Sequence, residues 1–322
     1  MKAAVYYETG GPEVFRYEDV PDPVCDASGV LIDVGAISIE GGDTLHRAGG
    51  AMAARPHIVG YQCAGVVRAV GEDVRDRKVG QRVVAVMMHG SHAERVSVPA
   101  HMTWVLPEGL ALEAGACVPI AVGTADDCLF EFGRLRAGET VLVHAGASGV
   151  GIAAIQLAKR AGAIVLATAS SDAKLERLKT YGLDHGINYR TSDFVGAVQG
   201  LTNGHGADLV VDSVGGRTLE GSIAAAAYRG RISYVGSAGR DGFVPSPDAL
   251  RPGNKSLTGI FLGAELVLNH RRVHAMIQRH LEDAARGTLQ VVIDRTFPLA
   301  EAATAHTFIE SRRAFGRVLL IP

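Results

Sequence analysis

The sequence predicts an α/β protein: a doubly wound parallel sheet joined to a second, discontinuous, mostly β domain. Three observations carry this expectation. Apolar, β-branched runs alternate with helical stretches from Gly138 to Phe261. Lys2 to about Val118 instead shows short strand-like runs separated by turn residues. After Phe261 the alternation stops, leaving a tail too small for a third domain. The 322 residues match two domains of roughly 100 to 200 residues each.

In the N-terminal half, Val30–Val34, Gly65–Val70, Arg82–Met87 and Glu94–Val98 read as strands of a partly closed antiparallel barrel. Strands then follow at Thr140–Ala145, Ile164–Thr168, Ile187–Tyr189, Asp208–Asp212, Arg231–Val235 and Ser256–Phe261. Helices are expected between them near Val150–Ala161, Ser171–Tyr181, Ser192–Leu201 and Thr218–Ala227. Gly162 and Gly182 are helix stops, and Ser171, with Lys174 on the following turn, is a helix start. The tail contains a basic and apolar helix from about Ala264 to Arg286, two or three short strands, and a helix over Leu299–Arg312. It most simply returns to complete the first domain, which is then discontinuous.

Composition excludes several function classes. With 32 basic and 34 acidic side chains the net charge is −2, so the chain lacks the basic face that nucleic acid or anionic lipid requires. Cys25, Cys63, Cys117 and Cys128 lie far apart with no C-x-x-C pair, so they are read as reduced, mostly buried thiols. The 40 glycines show no fixed period and imply many tight turns. The start, MKAAVYYETGGPE, lacks a signal-peptide core, and the expected location is the cytoplasm. Thr140–Ala158 is uncharged and nearly long enough to span a bilayer, but its glycine cluster divides it into strand, turn and helix.

Gly146-Ala147-Ser148-Gly149-Val150-Gly151 directly follows a strand and opens a helix, the context in which a glycine motif cradles a pyrophosphate. The next strand ends Ala167-Thr168-Ala169-Ser170-Ser171. No carboxylate stands at that tip to take the ribose hydroxyls of NAD. Asp172 comes two positions later, and Ser170, Ser171 and Lys174 suit a 2'-phosphate, so NADPH is favoured over NADH.

With HAGASGVGIAAIQLAK, INYR, VVDSVGG, AISIEGGDTLHRAG and the closing GRVLLIP, the chain resembles the zinc-independent quinone oxidoreductases of the medium-chain dehydrogenase/reductase superfamily over its whole length. The resemblance implies a GroES-like catalytic domain at 1–120 and 263–322, a Rossmann NADP-binding domain at 121–262, and a homodimer or homotetramer. It places Ala147, Ser148, Gly149 and Val150 at the pyrophosphate and Ser170, Lys174 and Tyr189 around the 2'-phosphate. Thr124, Ser213, Gly236, Ser237, Phe261 and Leu262 fall along the nicotinamide half.

The same resemblance implies no metal. Zinc-containing relatives carry a cysteine in C-x-x-D, a histidine in G-H-E and a later cysteine four residues before a Thr. Here those places hold Glu40 before Asp43, Tyr61 in Gly60-Tyr61-Gln62, and Ile120 before Thr124. One carboxylate without imidazole or thiolate is a poor zinc site. Without a Lewis acid, reducing a quinone or an activated C=C bond is easier than dehydrogenating an alcohol.

Three residues are candidates for the chemistry. Glu40 could position a substrate hydroxyl, shuttle a proton, or be a salt-bridged carboxylate at a strand end. Tyr61 could bond or protonate a substrate carbonyl, or simply pack; Asp43 matches the family and fixes the loop. Many quinone reductases have an Asn and a Tyr around this Asp, where this chain has Glu40 and Leu45. His46, His89 and His92 are close in sequence to these positions but have no identifiable partner. The expected activity is NADPH-dependent reduction of a quinone or an α,β-unsaturated carbonyl compound. Its rivals are a zinc-free carbonyl or alcohol oxidoreductase and an NADPH-binding protein with little turnover.

Overall fold

Ten strand residues from Gly29 to Ser38 organise the first part of the computed structural model, which describes residues 1–322. The chain enters through β1 (Lys2–Tyr6), β2 (Arg16–Asp19), β3 (Gly29–Ser38), α1 (Gly41–Gly49) and β4 (His57–Ile58). It continues through β5 (Gln62–Val70), β6 (Arg82–Val86), β7 (Arg95–Pro99), β8 (Thr103–Val105), α2 (Leu112–Ala116) and α3 (Pro119–Asp126). β1 lies between β2 and β4 in a small antiparallel sheet. β3 pairs antiparallel with β5 along most of its length and with β7 over Gly29–Asp33. Gly65 on β5 permits this close pairing, since a Cβ there would stand 2.8 Å from Ile32 Cγ2.

The second unit carries β9 (Thr140–Val143), α4 (Gly149–Arg160), β10 (Ile164–Ala169), α5 (Asp172–Lys179), β11 (His185–Asn188) and α6 (Phe194–Leu201). It goes on through β12 (Ala207–Asp212), α7 (Gly216–Ala225), β13 (Ala226–Tyr234), β14 (Ser256–Gly259) and α8 (Leu262–Leu268). Its six strands are all parallel in the order β11-β10-β9-β12-β13-β14, which is the doubly wound α/β arrangement. Helices on such a sheet bury its strands, and β9 and β10 are accordingly almost continuously apolar and buried. The uncharged run Thr140–Ala158 divides into β9, the glycine turn and α4; no helix is long and apolar enough to cross a membrane.

The chain then adds α9 (His270–Ala285), β15 (Ile293–Pro298), α10 (Ala302–Glu310) and β16 (Arg317–Ile321) to the first unit. β15 and β16 pair in parallel, an exception in an otherwise antiparallel sheet, and Leu319 and Leu320 of β16 pair with Ser38 and Ile37 of β3. One core links these segments, with Ile32, Val67, Val96, Phe297, Phe308 and Leu320 among its members. The units comprise Met1–Ala121 with Asn269–Pro322, and Val122–Leu268.

Two elements differ from expectation. The helix expected over Ala264–Arg286 is two helices, because Asn269 adopts a non-helical backbone (φ −123°, ψ 36°), and the two compact units divide at the same place. The helix expected over Thr218–Ala227 ends at Ala225, since Ala226 pairs with Ala207 and begins β13. Alanine's small side chain does not distinguish the two outcomes locally. Cys63, Cys117 and Cys128 are buried, Cys25 is half-buried, and all four are free thiols.

Candidate active site

Because all six strands of the second unit run parallel, their C-terminal tips share one edge. After β9, Ala145 takes a left-handed φ of 50° and Gly146 donates its N–H to Thr168 O at 2.8 Å. Ser148 caps α4, its hydroxyl accepting the Gly151 N–H at 3.0 Å. The first-turn N–H groups of Gly149 and Val150 have no preceding helical carbonyl to bond, so they and the helix dipole favour an anion there. Gly151 lets α4 lie against the loop: a Cβ would stand 2.7 Å from Gly146 O and closer still to Ala145 O.

The neighbouring tips bring other expected residues to this edge. Ala169 pairs with Asn188, so Ser170 and Tyr189, each one position beyond, end adjacent strands. Ser171 caps α5 by accepting the Lys174 N–H at 3.3 Å, which places Lys174 in the first turn. Asp172 accepts a hydrogen bond from Asn188 Nδ2 at 2.9 Å. Ser213 follows β12, and Gly236-Ser237 follow β13, with Ser237 Oγ 2.5 Å from Tyr234 Oη. Phe261 follows β14 and is 65% exposed, whereas Leu262 and, on α3, Thr124 are buried.

The first unit holds a separate buried polar cluster. Glu40 sits at the N-cap of α1 and its N–H donates to Asp43 Oδ2 at 2.8 Å. Arg317 of β16 donates to both Glu40 carboxylate oxygens, to Ser38 Oγ at 2.7 Å and to Ile39 O at 2.7 Å. Gln62 Nε2 also donates to Glu40 Oε1, while Gln62 Oε1 accepts the Ile120 N–H at 3.0 Å. Burial pushes the Glu40 carboxyl up, against the opposing pull of Arg317. Burial also raises Asp43 well above the usual carboxylate range, and the charge of Glu40 adds to it. The Tyr61 ring packs on Gly42, where a Cβ would stand 3.2 Å from its hydroxyl. Its phenol is raised by burial and by the Asp43 and Glu40 charges, so it stays protonated.

The three histidines considered from sequence separate into two groups. His46 and His89 pack against His57, with ring centroids 5.1 and 5.3 Å away. His92 is buried with its Nε2 3.1 Å from His306 Nε2, so one neutral ring donates to the other. Burial pushes His92 down to about 3 and His57 to about 4. Both stay neutral in the fold and take up protons when unfolded. Their stabilisation is therefore present above about pH 6.5 and is lost on acidification, at roughly 1.4 kcal/mol per pH unit per group. Buried Asp43 works in the opposite sense, its contribution being lost as pH rises through its raised pKa. The urea midpoint should fall between pH 6.5 and 4, and His92→Phe should flatten that fall; an identical slope in the variant would contradict a buried neutral pair.

Residues 149–282 match the family described as zinc-binding dehydrogenase, and residues 26–108 match the alcohol dehydrogenase GroES-like domain. The chain is 32% identical over 326 residues to quinone oxidoreductase of Sus scrofa, covering 100% of this chain and 98% of that one. It is 31% identical over 333 residues to 2-haloacrylate reductase of a Burkholderia species, covering 100% and 99%. The chain belongs to the quinone oxidoreductase family of the medium-chain dehydrogenase/reductase superfamily. The crystal structure of Escherichia coli quinone oxidoreductase complexed with NADPH shares its fold, with a TM-score of 0.93 at 28% identity and full coverage of both chains.

Although one matched family is described as zinc-binding, the donors in this quinone oxidoreductase homologue do not fit zinc. Both Glu40 oxygens are already held by Arg317 and Gln62, Tyr61 is a protonated phenol, and Ile120 presents only a backbone N–H in use by Gln62. The set contains neither imidazole nor thiolate.

Sequence reasoning missed three residues that shape these sites. Arg317 lay unread within GRVLLIP, although a charged residue opening an apolar strand was a signal. Gln62 likewise opens an apolar strand. Asp212 ends β12 and holds the following turn: its Oδ1 accepts the N–H groups of Val214 and Gly215 at 2.8 and 2.9 Å, and its Oδ2 accepts Ser222 Oγ–H at 2.7 Å. Gly215, at φ 72°, lies against the Ser237 backbone.

Proposed function

We propose that the protein is an NADPH-dependent reductase that delivers hydride to a quinone or to the activated C=C bond of an α,β-unsaturated carbonyl compound, without a metal. The observation that carries this reading is the common edge of the parallel sheet, where a glycine-backed helix start and the polar tips of adjoining strands meet. Ala147, Ser148, Gly149 and Val150 hold the pyrophosphate through the loop and the first turn of α4. Ser170, Lys174 and Tyr189 take the 2'-phosphate, with Asp172 engaged by Asn188. Thr124, Ser213, Gly236, Ser237, Phe261 and Leu262 orient the nicotinamide half.

Bound NADPH supplies the hydride. In the first unit Tyr61 bonds the substrate carbonyl and gives it a proton, and Asp43 sits behind it. Glu40 is a positioning residue, since Arg317 and Gln62 occupy its oxygens and it holds the start of α1. The electron-withdrawing carbonyl spreads the developing charge, so alignment is the main requirement. The names of the quinone oxidoreductase and 2-haloacrylate reductase relatives support the two substrate classes. We assign the GroES-like catalytic role to the first unit and nucleotide binding to the second. The working state is a homodimer or homotetramer in the cytoplasm.

NADPH oxidation followed at 340 nm with 1,4-benzoquinone, 9,10-phenanthrenequinone, simple enones, 2-haloacrylates and aldehydes tests the reading. Turnover of quinones or enones supports it. Turnover confined to aldehydes would move the chemistry to C=O, and NADPH binding with no oxidation would favour a binding protein. Lys174→Ala should raise KM for NADPH about tenfold, roughly 1.4 kcal/mol, with little change for NADH. Equal effects on both cofactors would contradict the phosphate assignment.

A further inference from the structure

Behind Tyr61, the first unit buries three polar atoms that have no protein partner. They are Asp43 Oδ1, Tyr6 Oη and His57 Nε2, on residues 0%, 0% and 1% exposed. Buried polar atoms in folded proteins nearly always bond to protein or to ordered water. Three orphans on one set of touching elements therefore call for a common explanation.

Their placement is set by the backbone. Tyr6 and His57 are directly opposed in the antiparallel pairing of β1 and β4, so their side chains share a face, with ring centroids 5.2 Å apart. Asp43, in the first turn of α1, is within electrostatic reach of both Tyr6 and Tyr61, and the Tyr61 ring lies on Gly42 beside it.

The hydrogen bonds already made fix what each orphan atom offers. Asp43 Oδ2 accepts the Glu40 N–H, so a carboxyl proton belongs on Oδ1. His57 Nδ1 accepts the Ala53 N–H at 3.2 Å, so its neutral ring carries hydrogen on Nε2. The charged and titratable groups facing this set are Glu40 and Arg317 beside Asp43, Arg47 beside Tyr6, and His46 and His89 beside His57. Burial raises the Asp43 carboxyl, raises Tyr6 to about 12 and lowers His57 to about 4, so that its ring is neutral.

We propose that Tyr6, Asp43 and His57 hold an internal water behind Tyr61, and that this hydrated pocket returns a proton to Tyr61 after each turnover. The inference rests on the reductase reading of the site. When the substrate has accepted hydride, the Tyr61 O–H bond breaks and its proton joins the substrate anion. The phenolate then takes a proton from the water that these side chains hold, since Asp43 Oδ1 makes no direct bond to Tyr61, and the hydroxide left behind takes one from bulk solvent. The net change is one solvent proton consumed for each hydride, with His57 remaining neutral as a donor that holds the water.

Tyr6→Phe removes a single oxygen. If that hydroxyl were only structural, the variant would be at least as stable as the parent, because an unpartnered buried hydroxyl costs folding free energy, and equally active. Proton return expects kcat for an enone to fall about tenfold or more with both KM values unchanged. It also expects a larger solvent deuterium effect and a smaller primary effect from 4-deuterated NADPH. Tyr61→Phe should share this phenotype, and His57→Gln, which keeps a donor, should retain turnover that His57→Phe loses. Folded Tyr6→Phe and His57→Phe with parental kcat and isotope effects would overturn the proposal. Failure of the parent protein to oxidise NADPH with any acceptor would instead sink the reductase reading. Independently of activity, a high-resolution crystal structure of the free protein should show a water bonded to Tyr6 Oη, Asp43 Oδ1 and His57 Nε2; a dry pocket would overturn the proposal.

Discussion

Glu40→Ala should lower the free energy of unfolding by about 3–5 kcal/mol, because it leaves the buried Arg317 guanidinium without its carboxylate. Arg317 and Glu40 are 7% and 5% exposed, so water cannot take over the lost interaction. The remaining bonds of Arg317, to Ser38 Oγ and Ile39 O, satisfy some N–H groups but carry no compensating charge. Replacing both partners by methionine removes the uncompensated charge and should recover most of the loss. Urea unfolding of the two single variants and the double variant checks this. A Glu40→Ala change below about 1 kcal/mol would show that the pair is effectively solvated. The variant should also lose turnover, since Glu40 and Asp43 together begin α1.

Gly151→Val should weaken NADPH binding by about ten- to a hundredfold, the equivalent of roughly 1–3 kcal/mol of overpacking strain. A side chain at this position meets the Ala145 and Gly146 carbonyls, which are backbone and cannot rotate away. Relief requires the loop to move from the first turn of α4, separating it from the N–H groups that receive phosphate. Gly200→Ala provides the contrast. Gly200 lies on α6 with nothing within 4 Å of an added Cβ, so this change should stabilise the protein by about 0.5–1 kcal/mol. Fluorescence titration with NADPH and thermal unfolding distinguish the two. Parental NADPH affinity in Gly151→Val would remove the loop from the proposed site.

The nucleotide edge was readable in the sequence because its determinants are local. A strand, a glycine turn and a capped helix occupy Thr140–Arg160 without a break, and parallel pairing then carries Ser170 and Tyr189 to adjacent tips. The buried cluster was only half readable. Glu40, Asp43 and Tyr61 lie within 22 positions, but Arg317 is 277 residues from Glu40 and reaches it only because β16 pairs with β3. A sequence shows that a carboxylate lacks a nearby cation, but not that a distant strand supplies one. The break at Asn269 was hidden for a related reason, since apolar and basic residues continue through it. The orphan atoms of Tyr6 and His57 likewise depend on a two-residue antiparallel pairing with no strong pattern.

Transfer of deuterium from 4-deuterated NADPH to an enone, in protein stripped of metal by a chelator, tests the central claim most directly. Metal-free hydride transfer predicts one deuterium at the β-carbon of the product, seen by NMR, at the rate of untreated protein. Loss of turnover on chelation with recovery on adding zinc, or product without deuterium, would contradict it.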